Sequence, residues 1–332
     1  MDLNIGTAGK ALKVSPVAAG TWAAGGWMWG GSDTQESIRA IQAGIDNGMT
    51  SIDTAPVYGQ GLSEEIVGAA IRPYNRADVQ LLTKFGMRWD TQQGELAMHS
   101  HKNDGTPVDI YRYAGRESVR YECEQSLKRL GTDYIDLFQI HWPDVTTPIE
   151  ETFEEVALLI KEGKIRYAGV CNYNAAQLQR AMSVCEIVSN QVPYSMLNRK
   201  IETELVPFCI AHNVGILAYS PMERGLLTGK IKPGAVFKED DHRSRHKLFQ
   251  PEIITEVQAF LDSIAPMAES KQISLSQLVL AWTKSRPGIA AVLAGIRTVE
   301  QAISNARAMQ VVLEHEEIMF IEKQLGKLTL PA

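Results

Sequence analysis

We read the sequence as poor in cysteine, without long apolar runs, without a signal-peptide pattern and without an excess of positive charge. Its four cysteines lie far apart and form no CxxC pair, which argues against disulfide frameworks and zinc sites and favours a reducing compartment: Cys123, Cys171, Cys185 and Cys209. No apolar stretch is long enough to cross a bilayer, and MDLNIGTAGK has no basic and apolar leader pattern. A net charge of −6 argues against nucleic acid or an acidic membrane as partners. We therefore expect a cytoplasmic protein with no metal site, no membrane partner and no nucleic-acid partner.

A GxGxxG motif after a strand is also missing, since GGWMWGG has the wrong spacing, and this weakens the case for a doubly wound nucleotide-binding sheet. Instead, about eight strand patterns alternate with amphipathic helix patterns along the 332 residues. Unbroken alternation demands parallel strands joined by right-handed crossovers. We predict an α/β fold in which residues 1–332 form a single (β/α)8 TIM barrel domain, with the doubly wound sheet as the alternative.

Three features outside the repeats complete the predicted architecture. Residues 3–15 read as an N-terminal β-hairpin with strands Leu3–Ile5 and Leu12–Val14. Long loops follow strands 3 and 7 of the barrel, at residues 86–114 and 222–250. Because both leave carboxyl ends of strands, we expect lids over the functional face, with variable surface insertions as the alternative. A helix over EHEEIMFIEKQLGK closes the chain.

The stretch IDLFQIHW provides the anchor for a functional hypothesis. It is too apolar for an exposed edge and too short for a helix, so we interpret it as a buried parallel strand that ends on His141. Asp53 ends the second barrel strand, Tyr58 lies in the loop after it, and Lys84 ends the third. Consecutive strand ends are neighbours on one rim of a barrel, so these four side chains should converge.

Each of the four residues also has an ordinary structural explanation. Asp53 could cap a turn, Tyr58 could pack its ring, and Lys84 could extend its charge into solvent. A lone histidine such as His141 is more often structural than catalytic. A purely structural explanation, however, would require four separate coincidences at neighbouring strand ends. The joint pattern therefore favours a functional cluster.

Together the four residues have the composition of a general acid. A tyrosine hydroxyl has a pKa of about 10, and a nearby ammonium lowers it by stabilising the phenolate. We expect Asp53 to hold Lys84, Lys84 to act on Tyr58, and His141 to donate a hydrogen bond to the same reacting oxygen. Such a cluster polarises a carbonyl and protonates the alkoxide formed from it.

The last strand and helix indicate a phosphate site. Arg297 stands at the strand end, Thr298 at the helix cap, and Gln301 and Asn305 follow along one helix face. Barrels often bind phosphate between the loops after strands seven and eight and a helix amino terminus there. Ser220, Gly225 and Gly229 after the seventh strand offer a flexible loop for a pyrophosphate, so a nucleotide is the favoured ligand.

These motifs resemble those of the aldo-keto reductase superfamily in family order. The similar segments run from the first hairpin to the last helix: SIDTAPVYGQGLSEEIVG, LLTKF, LGTDYIDLFQIHW, IRYAGVCN, SNQVPYS, LAYSPMERGLLTGK and GIRTVEQAISN. The resemblance implies an NADPH-dependent reductase in which Asp53, Tyr58, Lys84 and His141 form the catalytic tetrad, with Tyr58 as the general acid. HWPD and GTW look most like bacterial branches that reduce small aldehydes and sugars.

The resemblance also implies the residues that bind cofactor and substrate. NADPH or NADP+ would contact Thr21, Trp22, Asp53, Asn172, Gln191, Tyr219, Ser220, Met222, Gly225, Leu227, Gly229, Gly295, Arg297, Gln301 and Asn305. A small-molecule carbonyl substrate would contact Trp22, Trp29, Tyr58, Trp89, His141 and Trp142, although core packing is the alternative for the tryptophans. Cys171 departs from the family pattern, because many members carry serine there.

The same residues are compatible with two other functions. A lyase could use Lys84 to form a Schiff base with a carbonyl substrate, although Asp53 would keep its ammonium protonated. The superfamily also includes channel-associated members that bind NADPH and turn over slowly, so a regulatory or sensor subunit is a further alternative. The oligomeric state, the natural substrate and the strictness for NADPH over NADH are not encoded in these patterns.

Overall fold

The computed structural model describes residues 3–6, 11–237, 243–244 and 246–329. Its strands are β1 (Leu3–Ile5), β2 (Leu12–Val14), β3 (Val17–Gly20), β4 (Ser51–Asp53), β5 (Gln80–Phe85), β6 (Met87–Arg88), β7 (Glu95–His101), β8 (Pro107–Arg112), β9 (Ile135–Ile140), β10 (Ile165–Cys171), β11 (Ile187–Pro193), β12 (Gly215–Tyr219) and β13 (Ile289–Gly295). Its α-helices are α1 (Thr34–Asp46), α2 (Leu62–Ile71), α3 (Arg116–Leu130), α4 (Ile149–Lys161), α5 (Ala175–Met182), α6 (Leu205–Ala211), α7 (Pro251–Ser270), α8 (Leu275–Lys284), α9 (Val299–Arg307) and α10 (His315–Leu325).

Eight of the strands close into a parallel barrel in the order β3-β4-β5-β9-β10-β11-β12-β13. The ring closes where β13 pairs with β3, with Val292 opposite Val17. An open doubly wound sheet would leave two edge strands, so the closure confirms the (β/α)8 TIM barrel and excludes the alternative. All carboxyl ends of the barrel strands consequently lie on one rim.

The hairpin of β1 and β2 closes the other end of the barrel. Its strands pair antiparallel, with Ile5 opposite Leu12. Three buried apolar side chains of the hairpin are Ile5, Leu12 and Val14. They pack against buried apolar side chains of the barrel strands: Leu82, Leu137, Val188, Leu217, Ala290 and Ala291. Solvent is thereby kept from the amino-terminal end, and the carboxyl rim is left as the open face.

Helix ends follow capping chemistry with one shift from expectation. The sequence TQESIRAI predicts a cap at Thr34, but α1 is capped one residue earlier. Asp33 accepts a hydrogen bond from Glu36 N at 2.8 Å. Thr298 caps α9, as its sequence position predicts, by accepting from Gln301 N at 3.3 Å. Because α9 follows directly after β13, its amino terminus lies on the same rim as the strand ends.

The connection after β5 contains regular structure that the sequence analysis missed. Its three strands form an antiparallel sheet in the order β6-β8-β7, which we call the β6–β8 sheet. Every residue of β7 is exposed or half-buried, so no apolar alternation marks it in the sequence. One face packs above the barrel mouth, where Met87, Val108 and Ile110 contact Trp27 and Val57.

The connection after β12 contains two short 3-10 turns, Glu223–Thr228 and Lys247–Phe249. Residues 238–242 and 245 of this predicted lid lie outside the described residues. The helix α7 that follows was not predicted. Pro251 suits its first turn, but Pro266 lies inside the helix, where proline normally breaks the pattern. No helix in the described ranges combines the length and apolarity that crossing a bilayer requires.

Candidate active site

Three adjacent strand ends bring together Asp53, Tyr58, Lys84 and His141, which we call the polar cluster. Asp53 is the last residue of β4, Lys84 is the penultimate residue of β5, and His141 directly follows β9. β5 lies between β4 and β9 in the barrel, with Lys84 opposite Gln139 of β9. The convergence predicted from strand order is therefore present.

Lys84 is the centre of the polar cluster and is completely buried. Its Nζ donates to Asp53 Oδ1 at 2.7 Å and to the backbone oxygen of Thr54 at 2.8 Å. Burial lowers the pKa of Lys84, but the charge of Asp53 and the phenol of Tyr58 raise it more, so the net pKa lies above its usual value. Lys84 is therefore a fixed ammonium.

Tyr58 lies over this ammonium, with Lys84 Nζ 5.0 Å from the centroid of its ring. Burial raises the pKa of Tyr58 to about 12, even though the charge of Lys84 lowers it. Lys84 thus acts in the expected direction, but desolvation outweighs it. The phenol is protonated at neutral pH, which is the form that a proton donor requires.

His141 completes the polar cluster and lies beside Tyr58. The two ring centroids are 5.6 Å apart and the rings meet edge to face at 80°. Burial lowers the pKa of His141 well below its usual value, and repulsion from Lys84 lowers it further. Its Nδ1 has no hydrogen-bond partner among the described residues. A neutral imidazole carries one N–H and can donate it to a substrate oxygen.

Amide side chains from the next strands adjoin the polar cluster. Gln191 Nε2 donates to Asp53 Oδ2 at 2.8 Å. Asn172, which follows β10 in a left-handed conformation with φ 60°, donates through Nδ2 to the backbone oxygen of His141 at 3.1 Å. The hydroxyl of Tyr219 donates to Asn172 Oδ1 at 3.0 Å. These contacts tie the residues implicated in cofactor binding to the residues implicated in proton transfer.

Thr21 and Cys171 are buried beside the same residues. The Thr21 hydroxyl donates to the backbone oxygen of Asp53 at 2.9 Å, so it braces the end of β4. Burial raises the pKa of the Cys171 thiol, and Asp53 raises it further against the effect of Lys84. Cys171 is consequently a neutral thiol at the position where the resemblance implies serine in many family members.

The loop after β12 has an unusual backbone. Ser220, Gly225 and Gly229 have positive φ angles of 56°, 94° and 73°. Glu223 and Arg224 share the left-handed region without being glycine, a feature that the sequence did not reveal. Strained backbone of this kind is concentrated at ligand sites. Of the remaining residues expected here, Met222 is half-buried and the side chain of Leu227 is completely buried.

Arg297 lies at the mouth of a cleft of about 400 Å³ between the amino termini of α9 and α1. Its guanidinium is exposed and contacts the backbone oxygen of Gly31 at 3.5 Å. Gln301 accepts from Arg297 N at 2.8 Å, and Asn305 donates to Gly295 O at 3.2 Å. The carboxylates of Asp33 and Glu36, which sequence reasoning missed, also line the cleft, and Glu36 Oε1 accepts from Val299 N at 3.4 Å.

The predicted substrate tryptophans occupy two environments. Trp22 stacks near Tyr58 with ring centroids 6.1 Å apart, and Trp29 meets Trp22 edge to face at 5.5 Å. Trp89 and Trp142 are half-buried and, like Trp22, pack against the apolar cluster that contains Trp27 and Val57. Trp89 also borders a cavity that is lined by the β6–β8 sheet. Trp142 lies under the Arg112 guanidinium at 5.4 Å.

A family model described as the aldo/keto reductase family matches residues 16–325. The chain belongs to the aldo-keto reductase family. This confirms the resemblance drawn from the motifs, and the chain accordingly falls among oxidoreductases that use nicotinamide cofactors for carbonyl reduction.

Individual family members resemble this aldo-keto reductase along nearly all of its length. The NADH-specific methylglyoxal reductase of Escherichia coli K12 is 35% identical over 311 residues, covering 91% of this chain and 92% of that protein. The glycerol dehydrogenase AKR11B4 of Gluconobacter oxydans has a TM-score of 0.89 and 35% identity, covering 100% and 97% of the two chains. An aldo-keto reductase of Klebsiella pneumoniae in complex with NADPH has a TM-score of 0.73 and 29% identity, covering 100% of both chains.

The donor set of this aldo-keto reductase fits a nicotinamide cofactor. Asn172 and Gln191 each carry an amide donor and an amide acceptor, which suits a carboxamide. The half-buried ring of Tyr219 stands beside Asn172, and the strained loop after β12 leads from it. The exposed cation of Arg297 lies at the α9 amino terminus, where an anion is stabilised.

Sequence reasoning missed several polar residues that hold the site together. Glu223 is buried and its Oε1 accepts from the hydroxyl of Ser195 at 2.6 Å. Gln139 is completely buried in β9 and its Oε1 lies 3.4 Å from Gln191 Nε2. A glutamine inside the mainly apolar strand IDLFQI was the signal that could have identified it, since buried polar groups need partners.

Proposed function

We propose that this protein reduces the carbonyl of a small aldehyde, ketone or open-chain sugar with NADPH, and that Tyr58 supplies the proton. The observation that carries the proposal is the buried Lys84 ammonium, fixed by Asp53 at 2.7 Å and lying under the ring of Tyr58. The same chemistry in reverse oxidises the alcohol.

The proposed proton transfer follows from the charges of the polar cluster. Tyr58 is protonated before reaction, because burial raises its pKa to about 12. Negative charge that develops on the substrate oxygen makes that oxygen basic enough to take the phenolic proton, and the Lys84 ammonium stabilises the phenolate that remains. A neutral His141 donates a hydrogen bond to the same oxygen and orients it. Hydride is the contribution of the bound nicotinamide.

Arg297 supports NADPH as the reductant. A guanidinium is the side chain best suited to a phosphate monoester, and Arg297 is exposed at a helix amino terminus. The carboxylates of Asp33 and Glu36 in the same cleft are negatively charged, so they repel a phosphate bound there. The preference for NADPH over NADH is therefore proposed as graded rather than absolute.

The state of Lys84 disfavours the Schiff-base alternative. An amine must be unprotonated to attack a carbonyl, and Asp53 holds the pKa of Lys84 above its usual value. The complete polar cluster likewise favours turnover over a purely sensing role. Covalent trapping of a carbonyl substrate on Lys84 by borohydride would count for the lyase and against the reductase.

Replacement of Tyr58 by phenylalanine tests the proposal. We expect the dissociation constant for NADPH to stay unchanged and the turnover number to fall by roughly 10²- to 10⁴-fold, the range for loss of a general acid. Tyr74→Phe is the matched control, because Tyr74 donates its hydroxyl to Asp46 at 2.8 Å on the barrel exterior. Turnover in Tyr58→Phe equal to that of the control would refute the assignment.

A further inference from the structure

The base of the β6–β8 sheet is fastened to the barrel by two buried acidic side chains, Glu122 and Asp144. Glu122 of α3 accepts from the backbone N–H of Gly86 through both oxygens, at 3.1 and 3.0 Å. Asp144 accepts through Oδ2 from the backbone N–H of Ala114 at 2.8 Å. Gly86 and Ala114 flank the sheet, so both of its ends are fixed beside the strand that carries Lys84.

The tip of the sheet is held by two different bonds. Asn103, in the turn between β7 and β8, donates through Nδ2 to the backbone oxygen of Gly25 at 2.8 Å. Ser100 of β7 accepts from the indole Nε1 of Trp27 at 3.0 Å. Both partners belong to residues 22–31, which we call the tryptophan loop. The sheet therefore bridges from the carboxyl end of β5 to this loop.

The tryptophan loop in turn contacts Tyr58 directly. Gly25 packs so closely on the Tyr58 backbone that a Cβ at Gly25 would lie 2.5 Å from Tyr58 O. Trp22 stacks near the Tyr58 ring at 6.1 Å, and Trp29 meets Trp22 at 5.5 Å. A continuous path of contacts therefore joins Asn103 to the tryptophan loop and to Tyr58.

From this path we infer that Ser100 and Asn103 form a latch that sets the size of the carbonyl substrate. With the latch closed, Trp22 and Trp29 stand as a fixed wall beside Tyr58 and leave room for a short aldehyde. A bulky aromatic aldehyde requires the tryptophan loop to move outward, which breaks the bonds of Ser100 and Asn103. This inference rests on the proposed reductase function and adds its specificity-determining residues.

The latch acts through bonds of modest strength. Asn103 is exposed, so its bond competes with water, and a single such hydrogen bond changes an equilibrium by about 2- to 10-fold. Loss of one bond should therefore relax discrimination against a bulky substrate by that factor. Trp22 of the tryptophan loop is also expected to contact the cofactor, so both aldehydes are compared at saturating NADPH, where a change in cofactor affinity cancels from their ratio.

The test compares kcat/KM for 2-naphthaldehyde with kcat/KM for glyceraldehyde. Ser100→Ala and Asn103→Ala should each raise the ratio of bulky to small substrate about 2- to 10-fold, and the double variant should raise it further. His101→Ala, an exposed neighbour on the same strand, is the control and should leave the ratio unchanged. An unchanged ratio in the double variant overturns the inference.

A double-mutant cycle identifies the bond itself. Trp27→Phe removes the indole N–H from which Ser100 accepts its hydrogen bond. Trp27→Phe combined with Ser100→Ala should therefore shift the ratio of bulky to small substrate no more than Ser100→Ala alone. Fully additive shifts would contradict a shared bond and reject the latch.

Amide hydrogen exchange tests the latch independently of the proposed reductase activity. In the Ser100→Ala, Asn103→Ala double variant, amides of the tryptophan loop should exchange several-fold faster than in wild type, whereas α4 should be unchanged. Equal exchange overturns the latch regardless of activity. Faster exchange in a protein that reduces neither aldehyde shows that the two bonds restrain the tryptophan loop, but it overturns the proposed function and with it the role in substrate size.

Discussion

Glu122 provides the sharpest test of the electrostatics at the base of the β6–β8 sheet. It is 3% exposed. Burial raises its pKa from 4.5 to about 8, although the charge of Arg88 and the hydrogen bonds from Gly86 and Ser118 lower it. Glu122→Gln replaces the protonated acid with a neutral side chain of nearly the same shape. We expect this change to alter the pH dependence of stability while keeping the fold.

The sign follows from the two pKa values. The folded pKa lies above the unfolded value, so below pH 4.5 both states hold the proton and the contribution to stability is complete. As the pH rises towards 8, the unfolded chain releases a proton that the folded chain retains, and stability is lost. At about 1.4 kcal/mol for each tenfold change in proton affinity, the loss by pH 8 is about 4 kcal/mol. Because glutamine does not ionise, the Glu122→Gln variant does not undergo this loss of stability.

Urea unfolding of wild type and Glu122→Gln at several pH values between 5 and 8 measures this difference. The two unfolding free energies should be similar at pH 5 and should diverge by about 4 kcal/mol at pH 8, with the variant more stable. Glu124→Gln is the control on the same helix, since a hydrogen bond from Lys164 lowers the pKa of Glu124 and gives no such divergence. Parallel curves for wild type and Glu122→Gln would refute the reasoning.

Two further changes test the cofactor cleft and the contact behind Tyr58. Arg297→Ala should raise the KM for NADPH roughly 10-fold and leave the KM for NADH nearly unchanged, because one charge-assisted phosphate contact is lost; equal effects on both cofactors in steady-state kinetics would exclude a phosphate role. Gly25→Ala places a methyl 2.5 Å from Tyr58 O, so thermal unfolding should show a loss of about 1–3 kcal/mol together with reduced turnover; a wild-type melting curve would contradict the close packing.

The sequence by itself determined the barrel and the membership of the polar cluster. Strand and helix periodicities are local properties, and their alternation leaves few topologies. Residues at the ends of neighbouring strands, such as Asp53 and Lys84, must then share one rim. The cap at Thr298 is equally local, since it depends on a hydroxyl three residues before the N–H that it accepts from.

Only the tertiary structure decided how those residues behave. Whether Lys84 or burial governs the pKa of Tyr58 depends on the atoms packed around both, and burial prevails. The β6–β8 sheet escaped prediction because its strands are stabilised by pairing and by packing on the tryptophan loop rather than by an apolar pattern. The bond from Asn103 to Gly25 spans 78 positions in the chain, and contacts of that separation are fixed by the whole fold and not by local sequence.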